Sequence, residues 1–298
     1  MASLKEIKDR IASVGGTLKI TSAMKMVASA KLHKAQQAIG NMLPYEKRLH
    51  SMLIDLMGAV NMSAPASEEG SARLVSLSNQ PDHTESEGAY SLMAQRQVHR
   101  VAIVAFASNS SLCGAFNSNA IREATAVINE YRASGLRDSD IVVYSVGRRM
   151  AEAMRKLGFP SPADFTKMSD SPSYEAASAL AQELLDGFVS GRFDKVELVY
   201  NHYKSTSSQP TTRQTYLPLS LADATADLQA GKITDSASES DTNRGAEPVG
   251  APVVRQGSPT TEDLIVEPSK EALIATLLPK VIRLRIFTTL LDSAAAEH

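Results

Sequence analysis

A seven-residue apolar repeat runs almost unbroken from Ser3 to Val60. One series reads Leu4, Ile11, Leu18, Lys25, Leu32, Ile39, Glu46, Leu53 and Val60, and the other reads Ile7, Val14, Thr21, Ala28, Ala35, Met42, Leu49 and Leu56. A period of seven sustained over this length predicts one long helix carrying a coiled-coil seam. Ser3 followed by Glu6 has the spacing of a capping box, and no decisive stop signal precedes Asn61. Two faults lie inside the run. Gly15 and Gly16 each cost roughly 1 kcal/mol in a helix interior, and Pro44 removes one backbone bond and predicts a kink. At 1.5 Å per residue the rod reaches about 85 Å, several times the radius of a compact domain. It must therefore protrude.

A rod with so narrow an apolar stripe is unstable alone in water and needs a partner helix. The far end of the chain offers one. After Glu267 and Pro268, the run from Ser269 places Leu273, Leu277, Val281, Leu284, Phe287 and Leu291 at helical spacing, with Pro279 predicting another kink. Its ~30 residues extend at most about 45 Å, so roughly half of the first helix has no cover from within this chain.

Between the two helices the texture changes twice. Residues 61–97 carry Pro65, Pro81, Gly70 and Gly88 among many Ser, Glu and Asn residues, and read as a flexible insertion. Residues 98–220 then alternate apolar strands with helical segments. Strands are expected at Val101 to Phe106, from Ile141, at Val196 to Tyr203 and over TRQTYLPLS. Helices are expected from Ser118 to Ser134, Arg148 to Leu157 and Tyr174 to Val189. Such alternation predicts an α/β domain with a mainly parallel sheet covered by helices. Residues 221–266 are polar and acidic, with eight acids against three bases over Leu221 to Asp263, and read as a linker. The C-terminal helix occupies 267–298.

Composition closes several routes. The chain has 298 residues, is 43% hydrophobic and carries a net charge of -2, so no global basic excess points to nucleic acid. A single cysteine, Cys113, excludes an internal disulfide framework and a multi-cysteine metal site. The start, MASLKEIKDR, has charges where a secretory signal needs an apolar core, and no apolar run approaches the ~20 residues that span a bilayer. Basic charge does concentrate at the front, where residues 1–48 hold nine Lys or Arg against three Asp or Glu, a net of +6.

Sites for bond chemistry are hard to assemble. The loop Ser108 to Asn117 falls where an open α/β sheet binds ligands, yet its SNSSLCGAFN matches neither GxGxxG nor GxxxxGK. Cys113 reads as a small buried hydrophobe, since none of the six histidines is placed to serve as its base. No histidine pairs with another histidine or cysteine at ligand spacing, so no metal is expected. The cluster Tyr200, Asn201, His202, Tyr203 and Lys204 reads as a satisfied sheet edge. Catalytic, cofactor and metal residues are accordingly all expected to be none. The sequence leaves open an α/β small-molecule-binding protein or enzyme with a coiled-coil dimerisation arm, and a basic coiled-coil adaptor for nucleic acid.

SLKEIKDRIASV, TLKITSAMKMVASAKLHKAQ, SNSSLCGAFN, VYNHYKS and the ending EPSKEALIATLLPKVIRLRIFTTLLDSAAAEH together resemble the gamma subunit family of F-type ATP synthase, in order and over nearly the whole chain. The resemblance implies an antiparallel coiled coil of the terminal helices carrying a Rossmann-like domain, with the basic helix inside a ring of alternating alpha and beta subunits. It implies a non-catalytic rotor that couples proton flow through a membrane c ring to ATP synthesis or hydrolysis and regulates ATPase activity. It also implies a place on the cytoplasmic face of a bacterial inner (plasma) membrane, reached only through the c ring, and no nucleic acid partner. By family match Met24 and Lys25 face the ring subunits, while Lys31 and Glu267 fall near the c ring and the epsilon-type subunit. The family has polar residues where Gly15 and Gly16 stand and is shorter over 61–97, and its last helix runs on beyond the equivalent of His298.

Overall fold

The computed structural model describes residues 4–62, 92–219 and 270–297. The Ser3 cap, the 221–266 linker, Glu267 and most of the 61–97 insertion lie outside the described residues. Helix α1 spans Leu4–Met62 and continues through Pro44. At 59 residues it is about 88 Å long.

The α/β body is built on four strands: β1 (Val101–Phe106), β2 (Ile141–Val146), β3 (Lys195–Asn201) and β4 (Thr211–Leu217). Their order across the sheet is β2-β1-β3-β4. Strand β1 pairs in parallel with β2, Val101 opposite Ile141, and with β3, Val101 opposite Lys195. Strand β4 closes the edge antiparallel to β3. The VAIVAF run of β1 is buried at every position because helices cover both faces of the central strands. Edge strand β4 is only half-buried until Tyr216, which suits its TTRQT sequence and keeps the open edge polar. The expected strand through TYLPLS ends earlier, at Leu217, because Pro218 has no N–H for the ladder.

One sheet face packs against α2 (Phe116–Ala133) and α3 (Arg148–Lys156), where Val101, Ile103, Ala105 and Val143 meet Ala120, Ala124, Val127, Met150 and Met154. A short helix α4 (Thr166–Asp170), not expected from the sequence, precedes α5 (Tyr174–Val189), which Ser173 caps by accepting from the Ala176 N–H. The other face packs against α5 and the C-terminal helix α6 (Lys270–Glu297), which passes through Pro279. Tyr174 and Phe287 join these two helices edge to face at 5.7 Å. The buried Tyr216 hydroxyl donates to the Ile282 carbonyl at 2.9 Å and fixes α6 to strand β4.

Among the described residues, it is the lower part of α1 that is packed. Leu49, Leu53 and Leu56 enter the same core as Ile274, Leu278 and Val281 of α6. Higher up, Thr288 of α6 donates to the Glu46 carboxylate at 3.1 Å. Higher still, Lys31 acts on the Glu297 carboxyl. Numbers fall along α1 as they rise along α6, so the two helices are antiparallel.

Candidate interaction surface on the unpaired helix

Above Lys31 no element among the described residues covers α1. Leu4, Ile7, Ile11, Val14 and Leu18 all lie in the open, Leu18 at 69% exposure against 3% for Leu53 in the packed half. Ile20, Met24, Met26 and Val27 add to the same exposed apolar surface. An apolar surface of this length on a charged helix marks a contact with something else. Lys5, Lys8, Arg10, Lys19 and Lys25 surround it, and only Arg10 has a side-chain ion pair described in this stretch, to Glu6 at 3.6 Å. Thr17 and Thr21 turn their hydroxyls back onto the carbonyls of Ser13 and Thr17, so their polar atoms are satisfied within the helix. A Cβ added at Gly15 or Gly16 meets nothing within 4 Å.

Met24 and Lys25 sit on this uncovered section, both exposed, Met24 at 48%. Lys31 is exposed at the level where α6 ends. Burial pushes the Glu297 carboxyl upward there, against the pull of a Ser108 hydrogen bond, with Asp170 adding to the rise and Lys31 opposing it. Met24 and Lys25 are thus together, and Lys31 belongs to the junction below them. Glu267 lies outside the described residues.

The rival site at the carboxyl ends of the strands is filled by the chain itself. Strand order reverses between β1 and β3, where sheets of this kind take ligands. There the Asn117 side-chain Oδ1 accepts from the Ser108 N–H at 2.9 Å, and the Asn201 side-chain amide donates to the Phe116 backbone carbonyl at 3.1 Å while its Oδ1 accepts from the Thr211 hydroxyl. Asn117 also donates to the Cys113 sulfur at 2.9 Å, and the thiol is half-exposed, not buried as expected. Beside it, Leu290, Ser293, Ala294 and Glu297 of α6 close over Phe106, Ala107, Val146 and Ser169. The cavity left, about 10 Å³, is the size of one water centre. Among the described residues no group of three or more His, Cys, Asp or Glu is arranged to hold a metal ion, and no helix is long and apolar enough to cross a membrane.

Sequence reasoning missed one polar cluster on the α2 face of the sheet. Glu197, 2% exposed, accepts from Lys195 at 2.6 Å, Arg213 at 2.7 Å and the Tyr131 hydroxyl at 2.7 Å, and Arg213 also pairs with Glu130. Burial pushes the Glu197 carboxyl upward, but these donors outweigh it and hold the group below its usual value. The signal was a carboxylate in the middle of the apolar run KVELVYN, with Lys195 two residues before it on the same strand face. The cluster cross-links β3, β4 and α2.

The sequence profile of the ATP synthase family matches residues 3–298. A curated ATP synthase gamma chain of Phocaeicola vulgatus is 45% identical over 298 residues, covering all of this chain and 84% of that protein. The ATP synthase gamma chain of Bacteroides thetaiotaomicron is 43% identical, with all of this chain and 85% of the relative covered. Among solved structures, the central stalk/c-ring of the Tetrahymena thermophila mitochondrial ATP synthase superposes with a TM-score of 0.48 at 18% identity, over 93% of this chain and 94% of its counterpart. With the family profile spanning the chain and a curated relative this similar, the protein belongs to the ATP synthase gamma chain family.

Proposed function

We propose that this gamma chain is the central rotor shaft of an F-type ATP synthase and does no bond chemistry itself. The observation that carries the reading is the surface of α1 over residues 4–30, apolar and basic and covered by no element among the described residues, beyond a packed α/β body. A rod of this kind fits a surrounding protein cavity, here a ring of alpha and beta subunits. As an asymmetric shaft turns, it presents a different face to each catalytic site and shifts that site among its binding, synthesis and release states. The filled strand ends speak against the small-molecule reading.

On this reading α1 and α6 form an antiparallel coiled coil, and residues 98–220 form a Rossmann-like body at its foot. Residues 61–97 are a flexible insertion and residues 221–266 a polar acidic linker. Met24 and Lys25 meet the ring subunits, and Lys31 and Glu267 lie toward the c ring and the epsilon-type subunit. Ion flow through the c ring drives the rotation, and the same contacts regulate ATP hydrolysis. The chain is held peripherally, through the c ring, on the cytoplasmic face of a bacterial plasma membrane.

The test is isolation from native membranes combined with one charge reversal. Alpha, beta and c subunits should co-isolate with the chain. Lys25→Glu in the assembled enzyme should change ions pumped per ATP hydrolysed more than it changes ATP affinity. A chain that isolates without those subunits, or a variant whose coupling holds while nucleotide affinity collapses, contradicts the reading. Exposed ion pairs usually contribute ~0 to 1 kcal/mol, so the expected effect is on the choice between rotor positions and not on assembly.

A further inference from the structure

The cluster at the end of β3 has no part in the shaft surface described above. His202 starts the loop that joins β3 to β4, and its N–H donates to the Pro210 carbonyl across the loop at 2.9 Å. Its ring Nδ1 lies 2.6 Å from one oxygen of Asp292 on α6. The other Asp292 oxygen accepts the Tyr203 N–H at 2.9 Å. The Tyr203 hydroxyl, in turn, accepts from the Gln36 amide of α1 at 2.7 Å. One short loop is thereby tied to both long helices through two adjacent residues.

We propose that His202, Asp292, Tyr203 and Gln36 form a proton-sensitive tie that fastens the β3–β4 loop to α6 and α1 when the imidazole is charged and loosens when it is neutral. The inference stands apart from the rotor reading, because it concerns contacts within the chain. Asp292 is 18% exposed, and the loop occupies both of its oxygens, one with a backbone N–H and one with the ring. A charged imidazole forms an ion pair with that carboxylate, whereas a neutral ring donates without the attraction of opposite charges and only as the Nδ1–H tautomer. The charged groups described as acting on the ring are Asp292 from α6 and Lys204 from the loop, while α1 contributes the neutral Gln36 through Tyr203. The Asp292 hydrogen bond raises the His202 pKa, and partial burial and Lys204 oppose it without cancelling it.

The sign follows from that direction. A pKa raised by closure means the tie is at full strength below the open-state value near 6.5 and is lost as pH rises through the higher closed-state value. The opening constant of the loop should grow about tenfold for every pH unit separating the closed and open midpoints.

The experiment uses the full chain. Hydrogen exchange of peptides covering 202–210 is followed from about pH 5.5 to 8.5, corrected for intrinsic rates, beside an NMR titration of the His202 ring. The ring should titrate above 6.5, and loop opening should rise through the same midpoint. Asp292→Asn should lower the midpoint and flatten the pH dependence of opening. Tyr203→Phe, which removes only the Gln36 contact, should raise opening at every pH without moving the ring's midpoint. A ring that titrates at or below 6.5 overturns the proposal, as does opening in the parent chain that ignores pH or a pH dependence that survives Asp292→Asn. The parent titration decides the matter even if a variant fails to fold.

Discussion

Gly147→Ala tests how tightly the carboxyl ends of β1 and β2 are joined. Gly147 sits at φ +97° and ψ 143°, between β2 and α3. A residue other than glycine in that region costs about 1–3 kcal/mol of backbone strain. A Cβ placed there lies 2.0 Å from the Ala107 carbonyl oxygen and 2.7 Å from its carbon, both backbone atoms with no flexible end to yield. Relief requires the Ala107 peptide to move. That movement strains the Ala107 N–H bond to the Val146 carbonyl at 2.8 Å and the Arg149 N–H bond to the Ser108 carbonyl at 3.3 Å. Each such bond contributes about 0.5–1.5 kcal/mol, so the expected loss is about 2–6 kcal/mol out of a typical ~5–15. Gly158→Ala is the control. Its φ is +91°, but an added Cβ meets nothing within 4 Å, so only the backbone cost of about 1–2 kcal/mol should be seen. Urea unfolding followed by near-UV circular dichroism measures both, because the chain has no tryptophan and its buried tyrosines report on the body. Equal losses in the two variants would refute the argument from backbone contact.

Leu53→Ala should destabilise the isolated chain by about 2–5 kcal/mol, whereas Leu18→Ala in the uncovered half should stay within about 0.5 kcal/mol in the same urea assay. Glu197→Gln should separate from the parent most clearly at neutral pH. The carboxyl is depressed on folding, so its contribution is present above about 4.5 and is lost as pH falls through the lower folded value, and the stability gap should narrow in acid melts.

The repeat along α1 was the most legible feature, because a seam of one period over so many residues has few alternative folds. The stretch of α1 that α6 does not reach among the described residues was also legible from length, since helix rise is fixed by geometry and not by context. Strands β1 and β2 were plain for the same kind of reason: VAIVAF is an unbroken apolar run and IVVYSV is broken only by Ser145, as suits strands largely covered on both faces. The contacts that hold the body together were less visible. Glu197 meets Tyr131 across 66 positions, and His202 meets Asp292 across 90, distances at which sequence carries no local signal. Helix α4 is too short for a period to show. The interaction surface was legible as a shortage of partner helix, whereas the closure of the strand ends by α6 depended on where Ser293 and Glu297 come to rest, which only the packing decides.

The most direct test of the central claim compares hydrogen exchange over residues 4–30 in the isolated chain and in the assembled enzyme. In isolation these amides should exchange quickly, because no element among the described residues covers the stripe from Leu4 to Val27. Inside the alpha and beta ring they should become strongly protected, while amides of β1 and β3 remain protected in both states. Strong and equal protection of 4–30 in the free chain, or continued fast exchange after assembly, would contradict a shaft whose residues 4–30 are enclosed by the surrounding subunits.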